Sequence, residues 1–146
     1  MWKLFLIAIF LSKAETPFQS CQRVENSFTD CRKQIDTLTK REIYVEADVL
    51  PSPGIGEAAL RSRLEREILT PENVSPDNFN LNIKVAFIVN LDGRISGERI
   101  ISPKSEKTGK QLLKIAKSLK WVPGKCKGEN VEMLYTIPLN IDISEE

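Results

Sequence analysis

The sequence predicts an α+β fold in which a small antiparallel sheet carries two helices on one face. Apolar and polar residues alternate from Ile83 to Val89 and again from Val131 to Ile141, which is typical of strands with one buried face. Two other segments, Leu60–Ile68 and Leu112–Leu119, repeat apolar residues at helical spacing. A two-stranded hairpin is marginal alone in water, so the helices are expected to cover its apolar face.

The composition is that of one compact domain with a short extra segment. The chain has 146 residues, of which 41% are hydrophobic and 28% charged, and its net charge is +1. Its basic residues are scattered, so we expect no nucleic acid partner. It has no histidine, which removes the commonest general base and the commonest zinc ligand. We therefore expect no enzyme activity, no cofactor and no small-molecule substrate.

The first residues, 1–14, predict a secretory signal peptide. Lys3 precedes an apolar run, Leu4–Leu11, that is far shorter than the about 20 residues of a membrane-spanning helix. The small residues Ser12 and Ala14 favour cleavage after Ala14, and hence a location in the periplasm or cell envelope. The alternative is a lipoprotein-type cut before Cys21, which would then carry a lipid anchor, although the residues before it match a lipobox poorly.

Three cysteines follow, at positions 21, 31 and 126. In an oxidising compartment Cys21 and Cys31 are candidates for a disulfide that closes a short loop. Cys126 is then free, or it pairs with one of them instead. We expect no metal site, because three isolated cysteines without histidine lack the usual ligand spacing.

Residues 15–42 are a polar N-terminal segment ahead of the main domain, residues 43–146. Sparse apolar residues between Val24 and Leu38 lie close to helical spacing, which favours either a weak amphipathic helix or a flexible leader. Ile43–Val49 then alternates as a first strand, which Pro51 and the residues after it end.

The middle of the chain predicts a helix, a hairpin and a second helix. The first helix ends before Pro71. The hairpin turns at Asn90–Gly93, where Asp92 can bond its own backbone and Gly93 accepts a positive φ. Ser105 is the expected N-cap of a second helix that begins at Glu106 and ends near Lys120. Four lysines line its outer face, which suits an acidic partner or anionic lipid, or, as the favoured interpretation, plain solubility: Lys107, Lys110, Lys114 and Lys117.

The last strand, Val131–Ile141, has the most regular alternation in the chain. Pro138 lies within it and has no N–H to donate to a neighbouring strand. The strand is therefore predicted to lie at an edge of the sheet near this residue.

Four blocks, taken in order, resemble the C-terminal domain of TonB, the periplasmic end of an energy transducer, in its Bacteroidetes-type form. They are Gly56–Leu60, Val85–Ile95, Leu119–Lys125 and Tyr135–Asn140. The four blocks occur in this order along the chain, and the similarity covers about residues 43–143. The resemblance implies the same α+β fold that the periodicities predict.

The resemblance also implies a function in protein binding. TonB domains hold a short segment of an outer-membrane receptor as an added strand and so serve TonB-dependent transmembrane transport. In this sequence Glu132, Leu134 and Thr136 would be the partner-binding residues beside a docked receptor peptide. The edge is alternatively capped by the N-terminal segment or by a second copy of the chain, which would give a homodimer through the edge strand.

The chain departs from the family in having no membrane-spanning helix and no long Pro-rich linker. A coil of about 30 residues, the separation between signal and domain, spans only about 30 Å. We therefore expect a stand-alone receptor-binding module rather than a complete transducer. The alternative function is a structural envelope protein that is held by a lipid on Cys21 and has no role in transport.

Overall fold

The computed structural model describes residues 31–70, 80–102 and 106–142, which form an α+β fold. The described elements follow one another along the chain as β1 Arg32–Ile35, β2 Glu42–Glu46, β3 Ser52–Pro53, α1 Glu57–Ile68, β4 Asn80–Val89, β5 Ile95–Ile100, α2 Glu106–Ser118, β6 Trp121–Val122, β7 Gly124–Cys126, β8 Glu129–Val131 and β9 Met133–Asp142. The predicted signal peptide and Cys21 lie outside these ranges.

The main sheet has five strands in the order β1-β2-β9-β4-β5. The long strands β4 and β9 pair antiparallel without a register shift, from Asn80 opposite Asp142 to Val89 opposite Met133. Two further pairs of strands in this sheet are antiparallel, β4 with β5 and β1 with β2. Strand β2 runs parallel to β9 and pairs only through Tyr44 opposite Met133. The predicted α+β class is confirmed, although the sheet is larger than predicted and is mixed rather than purely antiparallel.

Both helices pack on one face of this sheet. Residues that alternate along β4 meet apolar residues spaced by about one turn on each helix, and together they form the main core. That core contains Leu60, Leu64 and Ile68 of α1, Leu112, Ile115 and Ala116 of α2, Ile83, Val85, Phe87 and Val89 of β4, and Ile137 of β9. The apolar residues whose spacing predicted the two helices and the strands are thus the residues that form the core.

Trp121 closes this core directly after α2. Its side chain is 2% exposed, and its Nε1–H donates to the carbonyl of Ala116 at 2.9 Å. Its ring lies edge-on to Phe87 with the two centroids 5.0 Å apart. Burying this indole with its N–H bonded fixes the path of the chain after α2 against the sheet.

The hairpin turn between β4 and β5 has the predicted chemistry. The Asp92 carboxylate accepts the N–H of Arg94 at 3.0 Å, and Gly93 has φ +81°. The Gly93 carbonyl accepts the N–H of Trp121 at 2.8 Å. A Cβ on Gly93 would lie 2.6 Å from the Trp121 carbonyl oxygen. Glycine is therefore required here both by the backbone angle and by close approach of another main chain.

The second face of the sheet is also covered at one end, contrary to the prediction of a single buried face. Ala86 and Ile88 alternate with the core residues, yet they are 1% and 0% exposed. The turn between β1 and β2 reaches this face, where Asp36 accepts a hydrogen bond from Arg99 of β5 at 2.6 Å. Asp36 also accepts the N–H and the hydroxyl of Thr39, both at 2.8 Å. The N-terminal hairpin is thus part of the packed fold.

Neither alternative predicted for the N-terminal segment, a helix or a flexible leader, is correct where the structure describes it. Arg32–Ile35 is a strand paired with β2, and all four of its side chains are exposed. The sparse apolar spacing is overridden by main-chain pairing and by the disulfide at Cys31. The rest of that prediction falls on residues outside the described ranges.

Neither helix in the described part of the chain combines the length and the apolar character needed to cross a membrane.

Candidate functional site

The predicted edge strand, β9, is flanked on both sides at its N-terminal end. The Tyr44 N–H donates to the Glu132 carbonyl at 2.9 Å, and Tyr44 lies opposite Met133. The Arg41 guanidinium also pairs with the Glu132 carboxylate at 3.2 Å. Strand β2 therefore already occupies the edge at Glu132 and Leu134. The prediction that Glu132 and Leu134 lie beside a docked peptide is therefore wrong, because the first strand of the main domain, β2, pairs there instead.

The side to which each N–H and carbonyl group of β9 points can be worked out from Lys84, which lies opposite Pro138. The Lys84 carbonyl accepts the N–H of Ile101 at 2.7 Å, so its main-chain groups point toward β5 and away from β9. In an antiparallel pair the opposite residue then also points away from its partner strand. Pro138, and with it Thr136 and Asn140, therefore direct their main-chain groups away from β4.

These three residues define what we call the open edge, Thr136–Asn140. Thr136 and Asn140 each present one N–H and one carbonyl there, whereas Pro138 presents a carbonyl alone. Within the described ranges no strand pairs with β9 on this side beyond Met133. An N–H at position 138 would point to the open side and not toward β4. Proline, which has no N–H, therefore removes no hydrogen bond between the two strands. In the sheet as a whole β9 lies between β2 and β4, so the prediction of an edge strand is wrong; near Pro138, however, the described residues leave the outward side of β9 unpaired.

A groove runs between the open edge and α1, with a cavity volume of about 990 Å³. Apolar side chains from both elements form its walls, and charged or polar groups of α1 line its rim. The lining residues are Glu57, Ala58, Leu60, Arg61, Ser62, Leu64, Glu65 and Leu69 from the helical side, and Tyr135, Thr136, Ile137, Pro138, Leu139 and Asn140 from β9. An extended chain rises about 3.3 Å per residue, so the edge matches a guest of about five residues.

Tyr135 lines this groove and contacts both the aromatic residues of the core and the first turn of α1. Its ring centroid lies 5.3 Å from that of Trp121 and 5.9 Å from that of Phe87. Its hydroxyl donates to the Glu57 carboxylate at 3.4 Å. Burial raises the pKa of Tyr135, and the Glu57 charge and hydrogen bond raise it further. The phenol therefore stays neutral and anchors β9 to the first turn of α1.

A disulfide joins Cys31 to Cys126, with the two Cα atoms 6.0 Å apart. Of the predicted alternatives, the pairing of Cys126 with one of the other two cysteines is confirmed, and the pair Cys21–Cys31 is wrong. The pairing arises because the β1–β2 hairpin brings Cys31 beside β7. Lipidation of Cys21 stays a prediction.

Asp48 lies beside this disulfide, with a carboxylate oxygen within 4.8 Å of both sulfur atoms. The two sulfur atoms are bonded to each other, so neither is a thiolate that could bind a metal ion. The Asp48 carboxylate instead accepts the N–H of Lys127 at 2.6 Å, in the turn between β7 and β8. The cluster is thus a structural tie between the N-terminal hairpin and the small β7–β8 ribbon.

No protein-family model, no curated protein and no solved structure matches this chain. The resemblance to TonB C-terminal domains therefore stays a prediction from the sequence. What the fold itself defines is an α+β domain with a strand edge open beside an apolar groove.

Proposed function

We propose that this chain is a periplasmic protein-interaction module of the TonB type, which binds an extended segment of an outer-membrane receptor and so contributes to TonB-dependent transport. The observation that supports this most is the open edge Thr136–Asn140 beside the groove along α1. Main-chain groups at such an edge bind a guest strand without requiring a particular sequence, and a neighbouring groove adds selectivity for side chains.

The guest strand would bond to five main-chain groups. Two are N–H donors, on Thr136 and Asn140, and three are carbonyl acceptors, on these residues and Pro138. A guest residue opposite Pro138 needs only to donate its N–H. Alternate guest side chains would point into the groove toward Tyr135 and Leu64, so small or apolar residues are expected at every second position.

Strand β2 sets one end of this binding site. Tyr44 holds the main chain at Glu132, and the Arg41–Glu132 ion pair adds a side-chain contact at the same end. A guest can therefore extend only from about Thr136 toward the C-terminal end of β9. Of the three residues predicted to contact a partner, Thr136 is the one that lies on the open edge.

The test removes one donor from the edge and leaves the side of β9 that faces β4 unchanged. Because the Thr136 N–H points outward, Thr136→Pro deletes that donor without removing a main-chain bond to β4. Pro138, whose main-chain groups point to the same side of β9, shows that the strand accommodates proline at such a position. Thr136→Val is the matched control, since it keeps the N–H and nearly the same shape. Affinity is measured by isothermal titration with synthetic peptides from the N-terminal segments of outer-membrane TonB-dependent receptors.

We expect Thr136→Pro to weaken peptide binding by about five- to tenfold, the effect of one lost main-chain hydrogen bond, and Thr136→Val to leave it nearly unchanged. Thermal unfolding of both variants checks that the fold is intact. Equal binding by the proline variant and the parent chain, or an absence of binding to every such peptide, would contradict the proposal.

A further inference from the structure

Exposed apolar side chains cluster at the end of the molecule formed by the β4–β5 turn and β6. Ile55, Leu91 and Val122 are 47%, 55% and 49% exposed, and all three line one shallow concavity of about 570 Å³. We call these three residues the apolar tip. Scattered single apolar residues are normal on a surface, whereas these three are grouped around one concavity.

A row of lysines leads along α2 to this tip. Spacings of three, four and three residues place the helical lysines on one face, and the chain then continues directly to Lys120 at the rim of the concavity. The row, which we call the lysine stripe, consists of Lys107, Lys110, Lys114, Lys117 and Lys120, and all five side chains are exposed.

The acidic neighbours of the stripe only partly offset its charge. Lys110 pairs with Glu106, and Lys117 pairs with Glu98 at 3.5 Å. Both lysine side chains are about 70% exposed, so water screens these pairs and they are weak. At the tip itself, the charges of Asp92 and Arg94 offset each other within one turn. A surplus of positive charge therefore remains beside the apolar tip.

Lys120 joins the two features. A Cβ on Gly93 would lie 3.3 Å from the Lys120 Cγ, so the stem of this lysine lies along the turn that carries Leu91. A lysine placed in this way covers apolar surface with its methylene groups and holds its ammonium at the polar boundary. That arrangement suits a boundary between an apolar medium and anionic groups.

We propose that the apolar tip and the lysine stripe form a docking surface for an anionic phospholipid bilayer. The tip inserts at the level of the headgroups, and the stripe lies over their phosphates. Charge complementarity favours this occupant, because evenly spaced lysines with weak partners match a diffuse sheet of negative charge.

Docking in this way leaves the peptide site accessible. The tip lies next to the turn that follows Val89, whereas Asn140 of the open edge lies opposite Asn82, near the start of β4. The two sites are thus at opposite ends of the β4–β9 ladder. A membrane-docked molecule would still present its open edge to a receptor segment.

The test compares binding of the full chain to phosphatidylglycerol vesicles and to phosphatidylcholine vesicles by flotation. The measured quantity is the ratio of binding to the two kinds of vesicle, which cancels any contribution of the apolar run Leu4–Leu11 that does not depend on lipid charge. The test variant is Lys114→Glu with Lys120→Glu. The matched control is Lys40→Glu with Lys84→Glu, two exposed lysines away from α2 and the tip.

We expect the test variant to lower the ratio by at least about 25-fold, since each lysine near an anionic surface contributes about fivefold, and the control to lower it much less. High salt should reduce the ratio of the parent chain. Equal binding of the parent to both lipids, or an equal loss in the test and control variants, would overturn the proposal.

A second pair of variants tests insertion of the tip. Leu91→Ser is compared with Leu38→Ser, because these two leucines are almost equally exposed, at 55% and 56%, and Leu38 lies in the β1–β2 turn. We expect Leu91→Ser alone to weaken binding to phosphatidylglycerol vesicles, and equal effects would overturn insertion of the tip. Peptide titrations of the same variants should be unchanged, which separates this proposal from the one on function.

Discussion

Replacing both cysteines of the disulfide, Cys31→Ser with Cys126→Ser, should strongly destabilise the fold. The bridge closes a loop over a sequence separation of 95 residues. The entropy of closing a loop of that length in the unfolded chain corresponds to about 4–5 kcal/mol. That is a large part of the stability of an ordinary small domain, so the variant is expected to be only marginally folded at room temperature.

The assay is urea unfolding followed by tryptophan fluorescence, since Trp121 is buried in the core. The double variant should unfold at a much lower urea midpoint than the parent chain, and the parent chain in a thiol reductant should behave like the variant. Cys21→Ser is the control and should leave the midpoint unchanged.

The alternative pairing, Cys21 with Cys31, predicts a different pattern. That disulfide would close a loop of about ten residues and would contribute about 3 kcal/mol to the free energy of unfolding. Cys21→Ser would then remove this contribution. A midpoint that falls with Cys21→Ser and not with Cys126→Ser would refute the pairing in the structure. Peptide mapping under non-reducing conditions gives the same answer chemically.

Two further predictions concern stability. Burial raises the pKa of Asp36, but hydrogen bonds from Thr39 and Arg99 outweigh it and lower the pKa to about 2. Ionised Asp36 thus stabilises the fold above pH of about 4 by on the order of 2 kcal/mol, and this is lost as the pH falls toward 2. In urea unfolding across this range, the stability difference between the parent chain and Asp36→Asn should shrink toward zero at low pH, and a constant difference would contradict it. Gly93→Ala should cost about 2 kcal/mol or more, because alanine disfavours φ +81° and its Cβ would meet the Trp121 carbonyl; an unchanged unfolding temperature would contradict this.

The sequence predicted the elements whose apolar periodicity is long. Helix α1, helix α2 and the β4–β9 core face lie where the spacings indicated, because burial against one shared core enforces those spacings. The turn at Gly93 was also predictable, since its chemistry is local.

The elements missed were those that depend on distant parts of the chain. Strand β1 has four exposed side chains and therefore no alternation of buried and exposed residues that would indicate a strand. Its place is set by pairing with β2, by the Asp36–Arg99 ion pair and by the disulfide. Disulfide connectivity cannot be deduced from spacing alone.

One part of the candidate site could be predicted from local sequence, and the other part could not, because it depends on a distant strand. Pro138 is a local signal, and it located the part of β9 whose outward groups are open. The loss of Glu132 and Leu134 from that edge depends on β2, which arrives from nearly 90 residues earlier in the chain, with Arg41 paired to Glu132. Local alternation along β9 carries no information about such a neighbour.

Amide hydrogen exchange along β9 tests the open edge most directly. In the free protein the Thr136 and Asn140 amides should exchange fast, while those of Tyr135 and Ile137, which point toward β4, exchange slowly. A receptor peptide at saturating concentration should slow exchange at Thr136 and Asn140 and leave Tyr135 and Ile137 as they were. Slow exchange at Thr136 and Asn140 in the free protein, or no change there with peptide, would contradict a strand-accepting edge.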